Sequence, residues 1–173
     1  MDTAEHGLAK EDVRKYLQRI CEEAGDMMRA YDPQLLLEWT DTNLAAGAAF
    51  QVDLRIQKDG VHTGSVAMTL EKGDILRLGG IFGTLAGKGT IADYSLDVTI
   101  KDVVSHGSEA TTVKVTWHEH IVYQAPSAPE DDAANHIVAD IEADCCHLLL
   151  REDGRLAIGL TLCSGDARLS MAG

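Results

Sequence analysis

The fold is decided by residues 111–123, which read TTVKVTWHEHIVY. From Val113 onward apolar and polar residues alternate, as they do in a β-strand with one buried face and one solvated face. The same two-residue period recurs in the segments immediately before and after this stretch. A register that pairs Val98 with Trp117, and Trp117 with Ala143, places the apolar residues of all three segments on one face. The sequence therefore predicts an antiparallel sheet in the second half of the chain.

The first half of the chain predicts helices and a hairpin. Apolar residues recur every three or four positions through the first thirty residues, which indicates one long amphipathic helix. Asp32 and Pro33 then cap and begin a second helix, which we expect Trp39 to close. A hairpin turning at residues 58–60 follows, and after it comes a weaker helical stripe. That stripe consists of Ile75, Leu78, Phe82 and Leu85.

The element order is helix, helix, strand, strand, helix and then four strands, the last running from Arg155 to Cys163. This order predicts an α+β domain in which a curved antiparallel sheet forms a cone, with about three helices on its concave face. The chain has 173 residues, of which 45% are hydrophobic, and no linker or internal repeat interrupts it. We therefore expect a single domain over residues 1–173, with its core at about 10–165.

Composition excludes several classes of function. The formal net charge is −13, which argues against nucleic acids and anionic membranes as partners, because both require clustered basic residues. No apolar run reaches the roughly 20 residues of a membrane span, and no secretory signal is evident, so we expect a cytoplasmic protein. The four cysteines show no CxxC spacing, and we interpret them as buried free thiols. No nucleotide or cofactor fingerprint is present, so we expect no cofactor.

The final hairpin adds a resemblance to a known family. Apolar residues 148–150 precede the acidic turn at residues 152–154, and Arg155 follows. Together with the element order, this ending resembles the nuclear-transport-factor-2-like superfamily, a cystatin-like α+β group that includes ketosteroid isomerase and polyketide cyclases. The sequence has Leu156 where an aromatic residue is common in that family. The resemblance implies a cone-shaped domain and a homodimer formed through the sheet.

The resemblance also implies two candidate catalytic residues. In ketosteroid isomerase a tyrosine of the first helix and a buried acid form an oxyanion hole, while an aspartate shuttles the proton. The matching positions here are Tyr16 and Asp41, but no second acid is evident. Tyr16 fits equally well as a core aromatic residue whose hydroxyl is satisfied nearby.

Strand parity places a second set of candidates inside the cone. Glu119 and His147 point inward and are candidate acid–base groups, because burial shifts the pKa of such side chains. Trp117, Trp39 and Ala143 are the candidate ligand-binding residues, since small residues beside a large one leave room for a pocket. Glu119 could instead lie in water at the rim of the cone. His147 could instead be a core histidine.

The outer face carries His118 and His120, with acidic residues on the neighbouring strands. Asp97 and Glu142 are expected to flank His118, and Asp140 to lie opposite His120. This arrangement could hold a divalent metal, but it also fits ordinary cross-strand charge pairs, and we assign no metal site. The apolar residues of this face indicate a partner surface. They are Val122, Val138, Leu148 and Leu150.

Two functions follow from these observations. The first is a small domain with an internal pocket that binds a small apolar molecule, with acid–base chemistry of an isomerase or lyase type as an extension. The alternative is a non-catalytic dimeric binding or assembly module that uses the outer face of the sheet. The sequence does not decide whether the protein is an enzyme.

Overall fold

A computed structural model describes residues 10–30, 32–75, 77, 90–124 and 136–172. Helix α1 spans Lys10–Ala30 and α2 spans Pro33–Asn43, and residues 72–75 and 77 form a third helical segment. The strands are β1 Leu44–Lys58, β2 Val61–Glu71, β3 Thr90–Ser105, β4 Ala110–Gln124, β5 His136–Glu152 and β6 Arg155–Ala172. The remainder of the stripe predicted at Leu78, Phe82 and Leu85 lies outside the described residues. The last strand is longer than predicted, continuing nine residues past Cys163.

The six strands form one open, curved sheet in the order β2-β1-β6-β5-β4-β3. The chain thus has the predicted α+β architecture, with helices laid on the concave face of the sheet. One feature differs from the wholly antiparallel expectation, because β1 and β6 pair in parallel. The reason is topological: β3 runs in the same direction as β2, and three antiparallel reversals from β3 to β6 bring β6 back to the direction of β1.

The predicted registers in the second half of the sheet are confirmed. Val98 lies opposite Trp117, and Trp117 lies opposite Ala143. The β3–β4 turn contains Gly107 at φ +81°, a conformation that glycine adopts without steric cost. Because alternation fixes which face is buried, a slip of one residue would turn the whole apolar set of a strand toward water.

The core lies between α1 and the concave face. The buried stripe of α1 matches the predicted one, and Val13 and Leu17 are fully buried within it. This stripe packs with Val113 and Val115 of β4 and with Leu149 of β5. Each such side chain contributes roughly 1.5–3 kcal/mol when it is fully buried.

Helix α2 begins as predicted and ends later. The Asp32 carboxylate accepts a hydrogen bond from the backbone N–H of Gln34 at 2.9 Å, and Pro33 occupies the first turn. The helix does not end at Trp39, as we expected, but continues to Asn43. Asn43 donates its side-chain amide to the carbonyl of Trp39 at 3.1 Å, which satisfies a backbone group of the last turn.

The expectation of four free thiols is wrong. Cys145 of β5 and Cys163 of β6 form a disulfide across directly opposed positions, with their Cα atoms 4.1 Å apart. Cys21 and Cys146 are free. The bridge lies on the concave face, because Cys145 belongs to the buried core cluster.

Candidate functional site

A hydrogen bond between two strands defines the most chemically distinctive point of the concave face. The Tyr94 hydroxyl donates to Glu119 Oε1 at 2.8 Å. Tyr94 lies opposite Ile121, and Glu119 lies opposite Leu96, so the two side chains are diagonal neighbours on one face. Tyr94 is buried and Glu119 is half-buried. The inward direction predicted for Glu119 is consistent with this contact.

Burial controls the protonation of both groups. Loss of solvent raises the pKa of Glu119 above its ordinary value of 4.5, while the hydrogen bond from Tyr94 acts in the opposite direction. Burial, followed by the nearby charge of Glu119, raises the pKa of the Tyr94 hydroxyl. The tyrosine therefore stays protonated and remains the donor. The pair can hold a proton on the carboxyl group at a higher pH than an exposed glutamate would.

The helix α1 borders this pair. The Arg29 guanidinium donates to the backbone carbonyl of Tyr94 at 3.3 Å, joining the end of α1 to β3. Cys21 of the same helix is half-buried, and burial raises the pKa of its thiol to about 11. This thiol is therefore protonated at neutral pH and is a poor nucleophile.

A second polar chain lies along the concave face. The Trp117 indole donates to His147 Nε2 at 2.8 Å, and His147 Nδ1 lies 2.8 Å from the Thr161 hydroxyl. The two rings meet edge to face with centroids 5.7 Å apart. Because Nε2 accepts from the indole, the neutral imidazole carries its proton on Nδ1 and donates it to Thr161.

The burial of His147 keeps it neutral. The residue is 4% exposed, and loss of solvent lowers its pKa to about 4. Both ring nitrogens are occupied by protein partners. The contacts of His147 are therefore those of a core histidine that orients Trp117, and they leave no nitrogen directed at a ligand.

The structure gives the two residues suggested by the family resemblance partners other than the Tyr94–Glu119 pair. The Tyr16 hydroxyl donates to the backbone carbonyl of Asn43 at 3.1 Å, so it is already used, and burial raises its pKa. Asp41 lies at the surface at the end of α2, where its carboxylate contacts Lys72 Nζ at 3.1 Å. A proton-shuttling role for Asp41 stays a prediction, and the contact that the structure shows for its carboxylate is the ion pair with Lys72.

The three predicted ligand-binding residues lie around one core. Ala143 is 7% exposed and faces Trp117 across the β4–β5 ladder. Trp39 packs at the margin of the same cluster, and no residue in the described part of the chain accepts a hydrogen bond from its buried indole nitrogen. The structure thus brings Glu119, His147, Trp117 and Ala143 together on adjacent strands. Sequence reasoning had placed Tyr94 on the same face but missed its role as the partner of Glu119.

On the convex face, the predicted histidine and acid rows are confirmed by the register. His118 lies between Asp97 and Glu142, and His120 lies opposite Asp140. His120 Nδ1 is 2.6 Å from the Asp140 carboxylate, whereas His118 Nδ1 is 3.5 Å from Glu142. These residues line a groove of about 200 Å³.

The metal alternative gains no support from this geometry. Within the described part of the chain, no three His, Cys, Asp or Glu side chains are grouped so that they could hold a metal ion. The contacts are those of exposed cross-strand pairs, each worth a few tenths of a kcal/mol.

Comparison with solved structures identifies the architecture. The chain is similar to the beta subunit of benzoate 1,2-dioxygenase from Burkholderia mallei, with a TM-score of 0.58 and 16% identity over 95% of this chain and 93% of the other. It is also similar to the Kfla4162 protein from Kribbella flavida, with a TM-score of 0.52 and 12% identity over 91% and 93% of the two chains. An NTF2-like protein from Cytophaga hutchinsonii aligns with a TM-score of 0.49 and 13% identity, over 91% and 99%.

At these identities the likeness concerns the fold alone. The open curved sheet with helices on its concave face is the predicted α+β architecture, and the chain shares this fold with the benzoate dioxygenase beta subunit and the Kfla4162 protein. No known protein-family profile matches the sequence. No curated protein matches it either. None of the helices that the structure describes is long and apolar enough to cross a membrane.

Proposed function

We propose that the protein is a small-molecule-binding domain whose concave face receives an apolar ligand and presents the carboxyl group of Glu119 to it. The observation that carries this proposal is the Tyr94–Glu119 hydrogen bond of 2.8 Å on a mostly apolar face, where the other polar chain, through His147, is satisfied by protein partners. A binding site of this class combines apolar walls with a few placed polar groups. Trp117 and Ala143 supply the apolar wall beside the carboxyl group.

Acid–base chemistry is a further part of this proposal. A carboxyl group with a raised pKa can take a proton from a bound ligand and return it, which is the basic step of isomerase and lyase reactions. Tyr94 would orient the carboxyl group through its hydrogen bond. In this scheme Tyr16, Asp41 and His147 lie outside the reacting group, and His147 positions Trp117.

Binding can be tested with Nile red, a neutral apolar dye whose emission rises when it leaves water. We expect a saturable rise in emission, and energy transfer from tryptophan that persists in Trp39→Phe, where Trp117 is the only tryptophan left. Leu162→Asp is the matched control, because it removes an exposed apolar side chain from the convex face. Emission that rises without saturation, or binding that is lost in Leu162→Asp, would contradict an internal site.

The second candidate is a non-catalytic dimeric module that uses the convex face. Leu160 and Leu162 of β6 are 38% and 44% exposed on that face, beside half-buried Cys146 and Leu148 of β5. The benzoate dioxygenase neighbour is named as a beta subunit, so this fold occurs as one component of a larger enzyme. Light scattering of the wild type and of Leu160→Asp/Leu162→Asp tests this candidate. It requires the wild type to form a dimer and the variant to be monomeric.

A cytoplasmic location also remains a proposal. The Cys145–Cys163 disulfide argues against the cytoplasm, because structural disulfides persist mainly in oxidising compartments. Titrating free thiols in protein purified from the source cells under alkylating conditions tests the point. Four reactive thiols after denaturation favour the cytoplasm, whereas two favour an oxidising compartment.

A further inference from the structure

The free edge of β2 differs from the other free edge of the sheet. The order of strands leaves β2 and β3 as the two edges. Residues 61–70 of β2 read VHTGSVAMTL and contain no Asp, Glu, Lys or Arg. Most of these residues are exposed, and Val61 and Met68 are 66% and 39% exposed. Among the described strands, β2 therefore offers a row of backbone groups without a pairing partner, and residues 61–70 have no charged side chains to protect them.

The β3 edge shows the usual protection. It carries Asp93, Asp97, Lys101 and Asp102, its pairing with β4 is interrupted by two register shifts, and α1 packs against it. Charged side chains, irregular register and a covering helix are the devices that keep sheet edges from pairing with other chains. Within residues 61–70, β2 uses neither charge nor proline, and its one register shift with β1 lies near the turn.

We propose that β2 pairs antiparallel with β2 of a second copy of this chain, so that two sheets become continuous across a two-fold axis. A two-fold contact brings each surface against itself, and a neutral strand is self-complementary in any antiparallel register. This inference assigns the contact of a homodimer to the β2 edge instead of the convex face, and it does not rest on the ligand site.

Charge favours a second copy at this position over the convex face. Each chain has a net charge of −13, so two copies repel each other wherever acidic surfaces meet. The centre of the convex face carries more acids than bases: Glu142 lies directly opposite Asp166, and Asp53 and Asp144 line a further groove. Of these four, only Asp166 and Asp144 are paired with a Lys or Arg among the described residues, with Arg55 and Lys101 respectively. Residues 61–70 of the β2 edge let two copies approach without opposing carboxylates.

The experiment uses charge reversal at the centre of the strand. Ser65 and Ala67 are both exposed and lie on one face, two residues apart. Multi-angle light scattering over a dilution series should give wild-type protein twice the 18.6 kDa chain mass at high concentration. We expect Ser65→Lys/Ala67→Lys and Ser65→Glu/Ala67→Glu each to stay at 18.6 kDa, because like charges then face each other.

Mixing the Lys and Glu variants in equal amounts should restore the dimer, since opposite charges now face each other. Two misfolded chains would not regain pairing, so this result separates repulsion from loss of fold. The neutral control Ser65→Thr/Ala67→Thr should dimerise like the wild type.

Three outcomes would overturn the inference. A wild-type chain that remains monomeric would end both this inference and the homodimer. A dimer that survives both charged β2 variants, or that dissociates in Leu160→Asp/Leu162→Asp but not in them, would place the dimer contact elsewhere. Saturable Nile red binding is expected in every one of these variants, so the ligand-binding proposal stands or falls separately.

Discussion

At the scale of single residues, Glu119 links the site to pH. Its pKa is raised on folding, so between its unfolded value near 4.5 and its folded value the native state holds a proton that the unfolded chain releases. Stability therefore decreases as pH rises through that interval. Glu119→Gln keeps an acceptor for Tyr94 and removes the charge, so we expect its stability advantage over the wild type to grow as pH rises above 4.5.

Urea denaturation at several pH values measures this difference. Glu142→Gln, which removes an exposed carboxylate from the adjacent strand, controls for a general effect of lost negative charge. A Glu119→Gln advantage that stays constant with pH would show that the Glu119 carboxyl is not held away from solvent.

His147 predicts the opposite slope. Its folded pKa is about 4, below the 6.5 of the free side chain, so the unfolded chain binds the proton first. The contribution of the neutral His147 imidazole to the free energy of unfolding is fully present above pH 6.5. It is lost as pH falls toward 4, by about 3 kcal/mol. In His147→Gln this loss disappears, and the difference between the two unfolding curves isolates it from other titrating groups. Parallel curves for the two proteins would contradict the buried neutral imidazole.

The residue-scale predictions from sequence depended on parity. Alternation along 111–123 predicted the inward direction of Glu119, and the neighbouring strand put Tyr94 on the same face. Their hydrogen bond was missed because it joins diagonal positions, and parity alone ranks direct partners above diagonal ones. The long phenol of Tyr94 spans that diagonal, and a search for Tyr–carboxylate diagonals would have found it.

At the scale of elements, the contact of β5 with β6 depends on one glycine. A Cβ atom on Gly165 would lie 2.6 Å from Ala143 Cα and would overlap the carbonyl oxygen of Glu142. Because both neighbours are backbone atoms, they cannot move aside as a flexible side chain would. We expect Gly165→Ala to lower the free energy of unfolding by about 3 kcal/mol.

Gly47 of β1 is the control for this substitution, because no atom of the described residues lies within 4 Å of a Cβ built there. Gly47→Ala should change stability by less than about 0.5 kcal/mol. Chemical denaturation of the two variants compares them directly. Equal stabilities would mean that β6 can withdraw from β5 at Gly165 without cost.

The same pair of strands shows where element-scale prediction from sequence ends. Counting back from the turn that pairs Glu152 with Arg155 would set Cys145 opposite Leu162 rather than Cys163. A register shift between Leu148 and Leu149 moves the later pairs by one residue and brings the two cysteines together. The shift leaves Gly159 unpaired, and an isolated glycine within a strand is the sequence signal that could have located the bulge. Sequence reasoning did not use that signal, so both the disulfide and the His147–Thr161 contact escaped prediction.

At the scale of the whole molecule, the disulfide contributes to stability through the unfolded chain. Cys145 and Cys163 are 18 residues apart, and a closed loop of this size restricts the unfolded ensemble by about 3 kcal/mol. We expect a reducing agent to lower the free energy of unfolding by about that amount, as measured by urea titration. Cys21→Ser/Cys146→Ser, which lacks the two free thiols, should respond equally, whereas an unchanged midpoint on reduction would contradict the bridge.

The element order predicted the overall architecture well, because each helix and hairpin carries its own local signal. The parallel contact between β1 and β6 lacked such a signal. It joins segments far apart in the chain, as in the Arg55–Asp166 ion pair of 2.9 Å between residues 111 positions apart. Only tertiary packing selects that neighbour, and the apolar residues of β1 would have fitted several others.

That contact also has a consequence for how the chain acquires its structure during synthesis. Strands β3 to β6 are joined by successive hairpins, which can form as soon as each strand is complete. The β1–β2 hairpin leaves the ribosome first, yet its neighbour β6 is translated last. Until β6 has been translated, the inner edge of β1 therefore lacks its partner strand, and the nascent chain depends on slow, long-range closure or on a chaperone.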